Sequence, residues 1–330
     1  MGNKVLIIGI SSFAGASFTD YLLKNTNFKI FGTFNNADNI TIKLFLKNNK
    51  KFSKVNLIKL NLYNSNDLLV KIAKKINPDY IVDFASICMV NESWINPIKY
   101  FKINFLSRVN FVKNLNKLKH LKKYIYISTP EIFGSSKKKI KEDSNFYAPS
   151  TPYASSKLST EILLDNYSKN ENCKIIVARF TNFYGLGQPL HRLIPKLIFC
   201  LNNNLKFPLH GKGLSKRDFI FDRDFNNGIF KIIKRGKIGA KYHFSSNKYL
   251  SINTVIKKIL AIKGHQWNNV ITKVKDRKGK DKYYYLDCKK TMSELKWKSN
   301  VSIDIGLKET IKFYDNLNKK LDKRDINFKL

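Results

Sequence analysis

Tyr153 and Lys157 stand four residues apart in Pro-Tyr-Ala-Ser-Ser-Lys (152–157). At that spacing two side chains share one face of a helix, where an ammonium favours phenolate over phenol. Bringing a tyrosine from about 10 to near neutrality needs roughly 4 kcal/mol of differential stabilisation. One nearby cation plus the positive charge of a hydride acceptor could meet that demand. The product is a base that takes a proton from an alcohol while hydride leaves the same carbon. Upstream, Ser-Thr-Pro-Glu-Ile-Phe-Gly (128–134) adds a hydroxyl at Thr129 and a carboxyl at Glu131.

Such a constellation needs a scaffold, and the first half of the chain supplies one. Apolar runs at Val5–Ile8, Ile30–Thr33, Asn56–Leu60, Tyr80–Phe84, Tyr124–Ser128 and Ile175–Phe180 read as strands. Helical patterns lie between them at Ala14–Asn25, Asn66–Ile76, Pro97–Leu118 and Tyr153–Lys169. Strands rich in Ile, Val and Leu without alternation, spaced by helices, predict a parallel sheet covered on both faces. The expected class is α/β, a doubly wound Rossmann sheet with ligands outside the carboxyl ends of its strands. After about Arg179 the pattern turns irregular and loop-rich, with helices expected at Leu193–Asn202, Ile252–Lys263 and Ile305–Leu317. The division predicted is 1–180 for the dinucleotide domain and 181–330 for a smaller substrate lobe. Residues from about 218 to 246, with a seventh strand near Tyr242–Phe244, rejoin the first unit.

Gly9-Ile-Ser-Ser-Phe-Ala-Gly15 follows the first strand and opens the first helix. Glycines there let the backbone approach a pyrophosphate resting on the helix N-terminus. Gly9 and Gly15 fit a Gly-x-x-Gly-x-x-Gly pattern, and Ser12 stands in the middle glycine's place. The second strand ends Thr33-Phe34-Asn35, with neither the acid that selects NAD nor the arginine that selects NADP. Asn61, after the third strand, is either an adenine contact or a polar strand end.

The composition limits the alternatives. With 330 residues and 43% hydrophobic residues, the chain can bury a sizeable core. The four cysteines (Cys88, Cys173, Cys200, Cys288) are scattered without a Cys-x-x-Cys, which suits a reducing cytoplasm. No signal peptide and no apolar run approaching 18 residues is read, so a soluble intracellular protein is expected. The five histidines are dispersed, and no metal site is predicted. A net charge of +37 raises nucleic acid as a partner. The lysines are spread along the whole chain, however, and arginine, the preferred base reader, is scarce beside them. The expected reading is a solvated lysine surface that at most steers an anionic nucleotide.

Together these segments resemble the extended short-chain dehydrogenase/reductase family, the NAD-dependent epimerases and dehydratases, and most closely its dTDP-glucose 4,6-dehydratase branch. The likeness covers essentially the whole chain. Beyond the glycine loop, Ser-Thr-x-Glu-x-Phe-Gly and Tyr-x-x-x-Lys, it rests on Arg179-Phe-Thr-Asn182-Phe-Tyr-Gly185, on Gln188 with Arg192-Leu-Ile-Pro195, and on Gly211-Lys-Gly213 with Arg217-Asp218. It continues in Asp276-Arg277-Lys-Gly279-Lys-Asp281 and Glu294-Leu-Lys-Trp297. Met89-Val-Asn-Glu-Ser-Trp94 looks more like the GDP-mannose branch, which leaves the sugar nucleotide open.

The resemblance implies NAD, with NADP left open, held by Gly9, Ser12, Phe13, Gly15, Asn35, Asn61, Leu62, Ala85, Ser86 and Asn104 together with Tyr153 and Lys157. It implies a nucleotide-diphosphate hexose held by Asn182, Arg192, His210, Arg217, Asn247 and Arg277. Guanidinium forks make Arg192 and Arg217 the choices for the diphosphate. Tyr153 would deprotonate the C4 hydroxyl with Lys157 keeping its pKa low, and Thr129 would hydrogen-bond the C4 oxygen. Glu131 would remove the C5 proton so that the C6 hydroxyl departs. It also implies a homodimer through the helices at Pro97–Leu118 and Tyr153–Lys169.

Three positions depart from the pattern. Pro130 replaces the aspartic acid that protonates the leaving hydroxyl, and proline has no proton to give. Either Glu131 does both jobs, a water does the second, or dehydration is lost and the enzyme only cycles C4. His210 stands where an aromatic residue packs near the base, and Lys280 replaces a histidine. The rival readings are a nucleotide-sugar 4-epimerase or GDP-mannose 4,6-dehydratase-like enzyme of the same fold, and a non-catalytic polyanion-binding Rossmann protein.

Overall fold

Seven short runs, most of them buried and rich in Ile, Val and aromatic residues, assemble one parallel sheet; the edge strand Asn56–Lys59 is largely exposed. In the computed structural model these are β1 (Lys4–Ile8), β2 (Lys29–Phe34), β3 (Asn56–Lys59), β4 (Tyr80–Asp83), β5 (Lys123–Ser128), β7 (Ile175–Phe180) and β11 (Lys241–Phe244), in the order β11-β7-β5-β4-β1-β2-β3. The two-residue β6 (Lys139–Ile140) lies outside it, as do β8 (Asn182–Tyr184), β9 (Phe207–His210) and β10 (Lys216–Phe221). The structure describes residues 2–35, 49–64, 67–276, 279, 281–318 and 321. The order reverses between β1 and β4, so a crevice opens beyond their carboxyl ends.

Helices cover both faces. On one side, α1 (Phe13–Asn25) packs with residues that return late in the chain: Phe225, Ile229 and Ile232 share a core with Val5, Ile7, Phe18, Phe244 and Trp297. On the other, α2 (Leu68–Ile76) and Phe111, Val112 and Leu164 close over Leu6, Ile8, Ile81 and Tyr124. The seventh strand near Tyr242–Phe244 does return to the main sheet, parallel to β7.

Two sequence expectations are corrected. The stretch Pro97–Leu118 is not one α-helix. It runs as α3 (Pro97–Phe101), a π turn (Lys102–Leu106) and α4 (Ser107–Lys113), then a 3₁₀ turn at Leu115–Lys117. The region after Arg179 is not irregular throughout, because Asp222–Arg235 is a 14-residue helix. In chain order the longer helices after α4 are α5 (Pro152–Asn170), α6 (Leu193–Asn202), α7 (Asp222–Arg235), α8 (Ile252–Lys263), α9 (Lys289–Leu295) and α10 (Ile303–Leu317).

The second lobe has its own core, in which Ile194, Leu197 and Ile198 meet Val255, Ile256, Ile259, Leu307 and Tyr314. Its strands are β8, β10 and β12 (Tyr249–Ser251) in one sheet and β9 with β13 (Ile271–Val274) in another. β14 (Tyr285–Leu286) then pairs with β6 beside the main sheet. Among the described residues no helix is long and apolar enough to cross a membrane.

Candidate active site

The turn after β1 is built for close approach. Gly9 has φ +83°, and a Cβ there would lie 2.9 Å from Ala85 at the end of β4. A Cβ on Gly15 would meet the Gly9 carbonyl oxygen at 2.3 Å. Ser12 is the N-cap of α1: its hydroxyl accepts from Gly15 N (3.0 Å) and donates to Gly9 O (2.8 Å). A glycine at position 12 would forfeit both bonds, so the serine pins the loop that the two glycines leave open. The first turn of α1 carries no acidic residue. A helix N-terminus without an acidic residue, behind two backbone positions with no room for Cβ, fits the pyrophosphate of a dinucleotide. The Phe13 ring stacks on Phe183 at 4.8 Å and so joins this turn to the substrate lobe.

The far wall of the crevice is held from below. Asp83, fully buried at the end of β4, receives Arg108 Nε (3.0 Å), Arg108 Nη2 (2.8 Å) and the Tyr124 hydroxyl (2.8 Å). Arg108 also donates to the Ala85 and Ile103 carbonyls. This fixes Ala85 and Ser86 opposite Gly9. Asn104 sits in the π turn, a feature often found at functional sites, and its amide bridges Ile87 N (2.9 Å), Ile87 O (3.0 Å) and Ser156 Oγ (3.0 Å). Its side chain is thereby committed to joining the β4 loop to α5. Asn35 and Asn61 end their strands exposed, and Asn61 Oδ1 closes a local turn on Tyr63 N at 2.9 Å while Leu62 is half-buried.

The candidate reacting groups lie where β5 and α5 come together. Thr129 caps a 3₁₀ turn (Pro130–Phe133), accepting from Glu131 N at 3.3 Å. Thr151 caps α5, with Pro152 in its first turn, and presents Tyr153 and Lys157 from the next turns. The Tyr153 hydroxyl is hydrogen-bonded with Thr129. Phe133 is buried beneath the turn, with the Arg179 guanidinium 4.8 Å from its ring centre. Arg179 is itself locked to Glu161 of α5 (Nη2–Oε2 2.6 Å) and faces His243 Nε2 at 2.9 Å. This buried pair ties β7 to α5 directly under the Pro130–Phe133 turn.

In the protein alone, the balance of surrounding groups favours a neutral Tyr153. Burial raises it well above the ordinary tyrosine value, the Glu131 charge adds to this, and the Thr129 hydrogen bond opposes it. Lys157 donates to the Ile127 carbonyl (2.8 Å) and lies 4.1 Å from the Tyr126 ring centre. Burial, with the Arg108 charge, brings its ammonium down to about 7. Glu131 is half-buried, and its carboxyl is pushed up to about 7, mainly by burial; Arg217 and Arg192 oppose the rise and Asp281 adds to it.

Around Glu131 the second lobe closes. Arg192 N-caps α6 and donates through Nη2 to Cys88 Sγ at 2.7 Å. Arg217 stacks on Tyr284 (4.5 Å to the ring centre), whose hydroxyl donates to Asn182 Oδ1 at 2.6 Å. The Asp281 carboxylate accepts from Ser135 Oγ (3.3 Å), and Lys282 N donates to the same hydroxyl (2.8 Å), strapping this segment over the catalytic turn. Thus Thr129, Glu131, Tyr153, Lys157, Asn182, Arg192 and Arg217 gather in one cleft. The contacts of His210 and Asn247 lead to Lys275 O (3.2 Å) and Lys139 Nζ (3.2 Å) instead. Arg277 and Lys280 lie outside the described residues. Sequence reading missed Cys88, Tyr100 and Tyr284. Asp281 stood inside a matched segment, but with no role attached.

Comparison with known proteins agrees with this architecture. The family model described as GDP-mannose 4,6 dehydratase matches residues 6–310. The dTDP-glucose 4,6-dehydratase of Haemophilus influenzae is 26% identical over 336 residues, spanning 94% of this chain and 97% of that protein. The crystal structure of dTDP-glucose 4,6-dehydratase from Bacillus anthracis in complex with NAD superposes with a TM-score of 0.86 at 26% identity, covering 96% of this chain and 98% of that one. UDP-glucuronic acid 4-epimerase from Bacillus cereus, in complex with UDP-glucuronic acid and NAD, gives 0.85 at 25% identity, covering 95% and 99%.

Proposed function

The chain belongs to the GDP-mannose 4,6 dehydratase family of extended short-chain dehydrogenases/reductases, and from that membership we propose that it is an NAD-dependent nucleotide-sugar 4,6-dehydratase, of the kind that acts on dTDP-glucose. The observation that carries the reading is Glu131, a carboxyl recessed beside Tyr153 and between Arg192, Arg217 and Asp281. Oxidation at C4 alone has no task for it; removal of a proton from C5 does.

The turn of Gly9, Ser12 and Gly15, with Ala85 and Ser86 opposite, would hold NAD. The bound cofactor supplies a hydride acceptor for C4 and the hydride that ends at C6. Thr129 holds the C4 oxygen while Tyr153 takes its proton. Because the surrounding protein raises Tyr153, the compensating positive charge is assigned to Lys157 and the bound cofactor together. The new C4 ketone acidifies C5, and Glu131 removes that proton. With a carboxyl near 7 it exchanges a proton in either direction at neutral pH. Glu131 therefore also returns a proton to the departing C6 oxygen, a step Pro130 cannot perform.

Arg217 and Asn182, linked through Tyr284, are assigned to the substrate's phosphosugar portion. The exposed Ile98, Leu106, Val109 and Ile162 lie on the helical stretch 97–113 and on α5, and we assign that face to a homodimer contact. Four free cysteines suit a cytoplasmic enzyme.

The test is incubation with a panel of dTDP-, UDP- and GDP-hexoses, followed by mass spectrometry. Loss of one water from at least one of them is expected. An isomeric product with unchanged mass would replace this reading with a 4-epimerase.

A further inference from the structure

Pro130 leaves one task without an owner. The oxygen that departs from C6 needs a hydrogen-bond donor as its charge develops, and the buried proline at the head of the catalytic turn has none. Glu131 can deliver the proton, but a single carboxyl cannot at once carry that proton and hold the oxygen from a second side. Among the described residues two guanidiniums lie close enough to act on Glu131.

Arg217 is the more committed of the two: its Nη1 donates to Lys216 O (2.8 Å) and Lys282 O (3.3 Å), its Nη2 donates to Asp281 O (2.7 Å), and its plane is stacked on Tyr284. Arg192 is less so: among the described residues, one of the five donors in its fork is engaged, by Cys88 Sγ. The contact crosses the cleft: Arg192 caps α6 of the substrate lobe, and Cys88 lies in the loop after β4. That loop is fixed. The Met89 carbonyl accepts the Tyr100 hydroxyl at 2.6 Å, and the buried Tyr100 ring packs edge-on against Tyr153 at 6.4 Å. The sulfur that grips Arg192 is therefore anchored through Tyr100 to the catalytic tyrosine. The guanidinium it holds lies within electrostatic reach of Glu131 and Tyr153.

We propose that Arg192 is a catalytic residue that donates hydrogen bonds to the departing C6 oxygen, and that Cys88 is the positioning residue that aims it there. This rests on the dehydratase reading and replaces the assignment of Arg192 to the diphosphate. In the step, Glu131 takes the C5 proton, the C5–H electron pair becomes the C5–C6 π bond, and the C6–O bond breaks. The proton passes from Glu131 to the oxygen, which leaves as water. Arg192 stays protonated throughout.

The experiment compares wild type, Arg192→Gln, Cys88→Ala and Cys88→Ser by turnover and by calorimetric binding of dTDP, UDP and GDP without a sugar. Arg192→Gln should lower kcat for water loss by about 10²-fold and leave nucleoside diphosphate affinity within about twofold, which also certifies its fold. Cys88→Ala should lower kcat by about tenfold, and Cys88→Ser, whose hydroxyl also accepts from a guanidinium, should restore most of it. A tenfold or greater loss of diphosphate affinity in Arg192→Gln with kcat retained would return Arg192 to the phosphates and overturn the proposal. A Cys88→Ser variant as slow as Cys88→Ala would overturn the positioning role. Wild type that releases water from no hexose nucleotide sinks the dehydratase reading itself, whereas active wild type with an equally active Arg192→Gln sinks only this inference.

Discussion

Glu131 has to be ionised to take a proton, and burial sets where that happens. Its carboxyl is raised to about 7, so the competent form is present above that pH and is lost as pH falls through it. The rate of water loss should therefore climb on an acid limb centred near 7. A profile flat down to pH 5 would contradict the environment described for this carboxyl. Tyr153→Phe removes the group that deprotonates the C4 hydroxyl and should cost about 10²–10⁴-fold in turnover, with the nucleotide sugar still bound in a calorimeter. Retained turnover would dismiss the catalytic assignment. At this scale the sequence was informative where the chemistry is local. Thr129 and Glu131 lie on one turn, and Tyr153 and Lys157 on one helix, so spacing alone brings each pair together. Cys88, Tyr100 and Tyr284 were invisible because their partners lie up to 104 residues away. The burial that raises Tyr153 in the protein alone was not legible either, because no spacing reports it.

The elements that position the site carry a buried ion pair. Asp83 and Arg108 are both fully excluded from solvent, and their bonds fix the end of β4 against the π turn. Arg108→Ala leaves an uncompensated carboxylate and should cost about 3–5 kcal/mol, measured as a shift of the urea midpoint. Asp83→Leu combined with Arg108→Leu should recover part of that loss. A cost below about 1 kcal/mol for Arg108→Ala would show that the pair does not hold this wall. The π turn itself could not be read from residues 97–118, whose apolar spacing suits an α-helix. It arises because Asn104 is drawn inwards to Ile87 and Ser156. Helix α7 lies within the stretch read as irregular, and its Asn226, Asn227 and Gly228 are weak helix formers. In the fold Asn226 donates to Ser17 Oγ at 2.8 Å, and a Cβ on Gly228 would lie 2.8 Å from the Phe244 ring. Both residues are there for close helix packing.

For the molecule as a whole, the parallel sheet was legible because its central strands, such as Lys4–Ile8 and Ile175–Phe180, are apolar runs in the sequence. The division of the second lobe was not, since its short strands pair across long separations, as β14 does with β6. Two expectations belong to this scale. The apolar face of Ile98, Leu106, Val109 and Ile162 is 36–70% exposed. A dimer that buries it should dissociate in the double variant Ile98→Asp/Ile162→Asp, seen as a halved mass in sedimentation equilibrium. A wild-type monomer would remove that assignment. The net charge of +37 should draw in an anionic nucleotide sugar. kcat/KM should then fall as salt is raised from about 0.05 M to about 0.5 M, where the Debye length shrinks to a few ångströms, while kcat stays level. No change in kcat/KM would leave the lysines as a solvating surface only.

Proton removal at C5 by Glu131 and loss of water from C6 are both read out by turnover of a hexose nucleotide in heavy water, with the product examined by NMR and mass spectrometry. The expected product is a 4-keto-6-deoxy sugar carrying one deuterium at C5, and a Glu131→Gln variant should oxidise C4 yet release no water. A product inverted at C4, with its C6 hydroxyl intact and no deuterium at C5, would contradict both steps.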